Sequence, residues 1–534
     1  MTLTLVVRGG LVSDGRGGPA RRADVGVEGD RVVVVDDLSD AEADRVVDAT
    51  GLAVVPGFIN MLSHAWGSLQ KDGSGASDLL QGVTTEVFGE AFSLGPGSEA
   101  FRGMLESFGV LDDGVEVVFE RLGDGLDHLE AGGVAVNVAS FVGGHNLRLL
   151  GAGYDDRRLT HAELDRLRGL VAEEMQEGAL GIGTALIYPP GRFADTDELV
   201  ALCEPVGTYG GTYISHLRSE GDQFLECLDE LLEIGDRAGC RTEVYHLKAA
   251  GRHNWHKMAL AVDRIEKARA DGRAVGANMY PYVAGGTALG ASIPPRFHVG
   301  GPDALLERLA DPTVRGEMAG ELREHSDEFE NLFLAAGGGS GILFGADLKD
   351  GTPARGRRLS EVGRELGLDD DAEALLEVVS RDPGVGVCYF IIDEANVELG
   401  LAQPWVSVGS DAEAHPAVPP FTDSITHPRT YGTFARVLGH YVRDRQVTTF
   451  DEAVRRMSRL PADELGLTGR GRIEPGCFAD IVVLDPGKVA DRATFEDSHR
   501  YAEGVRHVLV NGVPVVADGT VLEARPGRRL RRGR

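Results

Sequence analysis

The sequence predicts an α/β protein: a (β/α)8 TIM-like barrel with an inserted subdomain, plus a small β-sandwich built from both chain ends. Three observations predict it. From Pro56 to about Leu467, strand-like and helix-like segments alternate at the spacing of βαβ units. Eight such strands can be placed, and the two chain ends share a different texture of short strands and turns. The expected divisions are 1–55 and 471–534 for the discontinuous β-domain and 56–470 for the barrel, with an insertion at about 290–400.

The first 55 residues break into TLVVRGG, LVSDG, ADVGVEGDRVVVVDD and VVDATGLAVV, apolar runs punctuated by Gly and Asp. Barrel strands are expected near 58–63, 83–89, 134–141, 179–185, 212–216, 242–246, 275–280 and 406–411. The clearest intervening helix is QFLECLDELLEIGDRAG, where Leu225, Leu228, Leu231 and Leu232 recur at i, i+3, i+4 spacing on one face. The gap between the seventh and eighth strands is too long for a loop, so it reads as a subdomain containing the apolar strand VGVCYFII. FADIVVLDP and RHVLVNGVPVVADG restore the strand-and-turn texture, with Asn511-Gly512 as a hairpin turn. The final RPGRRLRRGR reads as a frayed, solvated basic tail.

The 534 residues carry 54 basic and 84 acidic side chains, a net charge of −30. That balance excludes nucleic-acid binding through a global basic field. With 42% apolar residues the chain can build a core rather than remain disordered. The five cysteines form no CxxC pair, which fits a reducing compartment. No secretory leader pattern and no apolar run of membrane-spanning length is visible, so a cytoplasmic protein without membrane attachment is expected. A homo-oligomer stays open.

The chemistry is read from coincidence of position. His64, Glu90, His216, His246 and Asp411 each end a predicted strand, and in a barrel all strand ends meet at one mouth. Imidazole and carboxylate converging there suit zinc. GGGSG at 337–341 lacks a following GK[ST], and Ser215 and Ser410 lack a GxSxG elbow, so phosphate-loop and serine-hydrolase chemistry are not expected. Cys203, Cys227 and Cys240 read as packing residues. Trp66 and Phe92 fit an acyl pocket and core packing equally well.

Several blocks resemble the D-aminoacylase (N-acyl-D-amino-acid deacylase) branch of the amidohydrolase superfamily: PGFINMLSH at 56–64, QGVTTEVFGEAFSLGP at 81–96, YISHLRSEGD at 213–222, YHLKAAGRHNW at 245–255, GSDAEAHP at 409–416 and HPRTYGTFARVLGHYVR at 427–443. The resemblance spans nearly the whole chain. It implies a zinc-dependent hydrolase of small N-acylated D-amino acids or related amides, with His216 and His246 as zinc ligands and Asp411 as the proton-transferring acid/base. It further implies that Lys248, Tyr188 and Tyr280 bind the substrate carboxylate or polarise the scissile carbonyl, with Arg429 and Arg218 as anion contacts.

Two departures stand out. The family's His-x-His at the first strand is Leu62-Ser63-His64 here, and the strand-two block offers Glu90 where many relatives place cysteine. These changes point to one zinc per chain, held by Glu90, His216 and His246, with His64 and Asp411 left for a weaker second ion. Two alternatives accompany this expectation: the same fold with other chemistry, such as cyclic-amide or lactone opening, and a non-catalytic scaffold.

Overall fold

The computed structural model describes residues 3–108 and 115–533. Five strands open the chain: β1 (Leu3–Val12), β2 (Arg21–Glu28), β3 (Arg31–Asp36), β4 (Ala43–Asp48) and β5 (Ala53–Pro56). The barrel strands follow as β6 (Phe58–Asn60), β7 (Val83–Phe88), β8 (Asn137–Ser140) continued by β9 (Val142–Gly143), β10 (Gly181–Ala185), β11 (Thr212–His216), β12 (Arg241–Val244) and β13 (Val275–Met279). After the inserted strands β14 (Gly285–Ala288), β15 (Ile342–Phe344) and β16 (Gly386–Tyr389), β17 (Val406–Val408) supplies the eighth barrel strand. The chain ends on β18 (Ile481–Leu484), β19 (Val505–Val510), β20 (Val513–Ala517) and β21 (Thr520–Val521).

All pairings between barrel strands are parallel, in the order β6-β7-β8 and β9-β10-β11-β12-β13-β17. The ring closes where Met61 donates to the Val408 carbonyl at 3.2 Å and Asp411 to the Leu62 carbonyl at 2.9 Å. Ile59, Val87, Phe141, Ile214 and Tyr245 fill the interior as one buried cluster, so the barrel is a packed core with its chemistry confined to the strand ends. The helix Phe224–Ala238 buries Leu228, Leu231 and Leu232, as its spacing predicts, and stops at Gly239 in a left-handed cap. Leu225 stays only partly buried at the edge of that face.

The terminal strands form one nine-stranded sheet, ordered β21-β20-β19-β18-β5-β1-β2-β3 with β4 on β1. Register shifts within β1, β2 and β18 bend it, and the start of β3 meets the approach to β18 through Val32 donating to Cys477 at 2.9 Å. The sheet thereby folds over its own core of Val7, Val25, Val27, Val54, Ile481 and Leu509. The inserted segment begins with β14 at Gly285, slightly ahead of the expected 290, and builds a three-stranded antiparallel sheet β14-β16-β15 around the predicted VGVCYFII strand.

The basic tail is docked rather than frayed. Gly527 donates to Val134, Leu530 to Val138 and Val138 to Arg528, at 2.8–2.9 Å, so the tail adds itself to the start of β8. Arg528 pairs with Asp30 at 2.7 Å and Arg529 with Asp127 at 2.8 Å, while Leu530 joins the barrel-interior cluster. A strand start with unpaired backbone groups and nearby carboxylates gives the arginines partners that composition alone does not reveal.

Candidate active site

Nine of the candidate residues, His64, Glu90, Tyr188, His216, His246, Lys248, Tyr280, Asp411 and Arg429, line one cavity of about 200 Å³ at the strand ends. Local backbone geometry aims them. Gly89, at φ 114°, lets the chain turn beside β8; a Cβ there would lie 2.6 Å from the Phe141 carbonyl oxygen. His246 and Asp411 adopt left-handed φ values of 34° and 52°, uncommon for residues with a side chain. Asn278 holds the first by accepting the His246 N–H at 2.9 Å, and the Leu62 carbonyl holds the second.

Glu90 is the hub. Its Oε1 lies 3.2 Å from His216 Nδ1 and 3.0 Å from His246 Nε2, and its Oε2 lies 3.2 Å from His64 Nε2. His64 Nε2 is also 3.0 Å from Asp411 Oδ1. Two triads of ligand atoms result, Glu90–His216–His246 and His64–Glu90–Asp411, each within 4.8 Å and sharing Glu90. Burial would raise the Glu90 carboxyl, but the imidazoles around it hold it well below the ordinary range. Burial alone would depress His64, yet its bonds to Asp411 and Glu90 raise it to about 10. Carboxylates that draw positive charge this strongly, with imidazole nitrogens converging on one of them, fit a divalent cation such as zinc.

Glu220 escaped the sequence reading. Its Oε1 lies 3.0 Å from His246 Nδ1 and its Oε2 3.3 Å from His216 Nε2, so it faces the far nitrogens of both imidazoles. Its position four residues after His216 in SHLRSE was the available signal. Glu220 also pairs with Lys248 at 2.7 Å, which keeps the ammonium charged despite burial. The insertion reaches this group too: Glu330 accepts the Glu220 backbone N–H at 2.5 Å.

Opposite lies Arg429, 2.7 Å from Asp411 Oδ2 and stacked 4.8 Å over the Tyr280 ring, with a buried Nε that has no hydrogen-bond partner. Burial would raise the Asp411 carboxyl, but Arg429 and His64 hold it below its ordinary value. The Tyr280 hydroxyl is buried without a partner, and burial pushes it up to about 12, so it remains a donor. The Tyr188 ring packs edge-on to His216 at 5.5 Å.

Arg218 does not join them. Its guanidinium is taken by Glu230 at 2.9 and 3.0 Å and by the carbonyls of Arg192 and Ala194, so it braces the barrel loops instead of contacting an anion in the cavity. Trp66 and Phe92 both pack against the cluster of Phe101, Met104 and Leu105, and of the two only Phe92 lines the cavity.

A parallel barrel with this constellation at its strand ends is the architecture of a metal-dependent amidohydrolase. A family model described as "Amidohydrolase family" matches residues 396–516. A D-aminoacylase of Alcaligenes xylosoxydans xylosoxydans is 36% identical over 529 residues, covering 99% of this chain and 97% of the relative. An N-acyl-D-glutamate deacylase from the same organism is 33% identical over 536 residues, covering 99% and 97%. Among solved structures, a D-aminoacylase studied for the role of its binuclear metal centre superposes with TM-score 0.82 at 33% identity, covering 99% of this chain and 100% of that one. The N-acyl-D-glutamate deacylase of Bordetella bronchiseptica, complexed with zinc and a phosphonate mimic of the tetrahedral intermediate, gives 0.81 at 30% identity, covering 99% and 100%. This chain belongs to the D-aminoacylase family of amidohydrolases.

Proposed function

We propose that this chain is a zinc-dependent hydrolase that cleaves the amide bond of N-acyl-D-amino acids to a carboxylic acid and a free D-amino acid. The observation that carries the reading is the convergence of His216 Nδ1 and His246 Nε2 on one carboxylate oxygen of Glu90, beside Asp411 and two buried cations. Glu90, His216 and His246 would hold one tight zinc per chain, and His64 with Asp411 a weaker second ion. Zinc bound there supplies Lewis acidity toward the scissile carbonyl and an acidified water.

The protein's own groups do the rest. Lys248, Arg429 and the Tyr280 hydroxyl surround the substrate carboxylate and fix the amide beside Asp411. Asp411, ionised at neutral pH, accepts a proton from the attacking water and delivers it to the leaving nitrogen as the C–N bond breaks. His64 and Arg429 hold its two oxygens in place. Five free cysteines support a reducing, cytoplasmic setting.

Steady-state assays of zinc-loaded protein with N-acetyl-D- and N-acetyl-L-methionine test the reading. Turnover of the D-form is expected, and Asp411→Asn should lower kcat by about 10²–10⁴-fold while zinc content persists. Near-normal turnover by that variant would remove Asp411 from the role.

A further inference from the structure

We infer that Asn60 and Gln81 are positioning residues of the hydrolytic site, acting from a buried polar knot outside the cavity. Asn60 sets the Asp411 carboxylate, and Gln81 sets the Arg429 guanidinium. The inference rests on the deacylase reading, in which Asp411 moves the proton and Arg429 meets the substrate carboxylate.

The knot is made by Asn60 on β6, Glu86 on β7, and Asp78 and Gln81 from the stretch that joins them, all fully buried and none lining the cavity. Asn60 Nδ2 lies 2.9 Å from Glu86 Oε2, 3.2 Å from Asp78 Oδ2 and 2.8 Å from Ser410 Oγ. Gln81 Nε2 donates to Asp78 Oδ1 at 3.0 Å. Burial raises both carboxyls above their ordinary range, Asp78 the more because the Glu86 charge adjoins it, so Asp78 keeps its proton and donates to Glu86. Polar groups buried this deeply are costly unless satisfied, and two sets of their contacts leave the knot for the site.

The first arm is Asn60. Its Oδ1 accepts the Ser410 N–H at 2.8 Å, and the carbonyl of Leu62, two residues further along, accepts the Asp411 N–H at 2.9 Å. Two consecutive N–H groups just past β17 are thus held from one segment of the first barrel strand, which over-determines the left-handed φ of 52° at Asp411. That turn brings the carboxylate to His64 and Arg429. The second arm is Gln81, whose Nε2 donates to the Thr430 carbonyl at 3.1 Å and whose Oε1 accepts the Phe434 N–H at 3.0 Å. A regular α-helix joins those two groups, i and i+4, to each other. The Gln81 amide therefore bridges the first turn of the helix Arg429–Arg436 and fixes where Arg429 begins it. Displacing a reacting or binding group by about 1 Å is enough to cost about 100-fold in rate.

Kinetics of zinc-loaded, full-length variants on N-acetyl-D-methionine test both arms. Asn60→Ser keeps a polar group for the two carboxyls but is one bond too short to reach Ser410, so kcat should fall about 100-fold at unchanged KM and zinc content. Asn60→Asp keeps the acceptor, its own carboxyl held neutral beside two others, and should recover most of that loss. Gln81→Met, similar in shape but without the amide, should raise KM by about 10-fold while kcat changes far less. A merely structural knot gives another pattern: urea midpoints fall, and the folded fraction keeps native kcat and KM. That pattern overturns the inference, as does a kcat loss in Asn60→Asp equal to that in Asn60→Ser. Where Asn60→Ser does not fold, the KM of Gln81→Met decides, and a native value overturns the inference. If the native chain turns over no N-acyl-D-amino acid, the deacylase reading falls as well, whereas an active native chain with insensitive variants removes this inference alone.

Discussion

Glu220 lies behind the two histidines proposed to hold zinc. Its carboxylate faces His246 Nδ1 and His216 Nε2 while Glu90 faces His216 Nδ1 and His246 Nε2, so the Glu90-facing nitrogens are the ones that would ligate the proposed zinc, and Glu220 also pairs with Lys248, the cation proposed for the substrate carboxylate. Replacing Glu220 with Gln should weaken zinc binding by about 10–100-fold, the usual cost of losing such a partner. Titration against a chelator of known affinity checks this, and unchanged affinity would reduce Glu220 to a spectator. His64→Ala, in contrast, should leave the tight zinc in place, read as an unchanged zinc content after dialysis. The five strand-end residues were legible because barrel topology sends every strand end to one mouth. Glu220 was not, because it sits in a loop whose path no periodicity fixes. Glu330 is further still from sequence reading, since only folding of the insertion brings it to Glu220.

At the scale of elements, the docked tail shows where local reading stops. RPGRRLRRGR carries every mark of a solvated end, and its partners are the free start of β8 and acids at Asp30 and Asp127. Leu530→Ala should cost about 2–4 kcal/mol of stability, the range for emptying a buried leucine site, measured by urea unfolding. The neighbouring helix His161–Gln176 holds a second consequence. Burial raises the Glu174 carboxyl to about 7, although it accepts a hydrogen bond from the Leu122 N–H at 3.2 Å. Folded chain thus keeps this proton up to about pH 7, whereas unfolded chain releases it near its ordinary 4.5. The native state binds more protons in that window, so its stability falls as pH rises from 4.5 to 7 and then levels. Glu174→Gln should flatten that fall, seen as a smaller loss of urea midpoint between pH 5 and pH 8. The VGVCYFII strand was visible in the sequence, but its partners β14 and β15 were not, since each is short and pairs across a long separation.

For the molecule as a whole, the charge of −30 opposes any anionic substrate at a distance, while Lys248 and Arg429 attract it only at close range. Raising ionic strength from about 10 mM to 150 mM shortens the screening length from about 30 Å to 8 Å. KM for N-acetyl-D-methionine should therefore fall over that interval, and a KM that rises instead would mean that local attraction governs capture. Eight strands, two β-rich ends and one insertion were all readable from alternation and punctuation. The bending of the terminal strands into one continuous sheet was not, because register shifts depend on pairing partners.

That continuous sheet also sets a timetable for biosynthesis. β5 pairs antiparallel with β18, Pro56 against Ile481, so β5 waits for a partner made long after it. At about 5–20 residues per second the ribosome leaves the β5 edge without β18 for roughly 20–80 s, and the eighth barrel strand arrives only shortly before. Both closures therefore come long after the first strands are made, and an apolar strand edge is bare over that interval, when chaperone protection matters most to this chain.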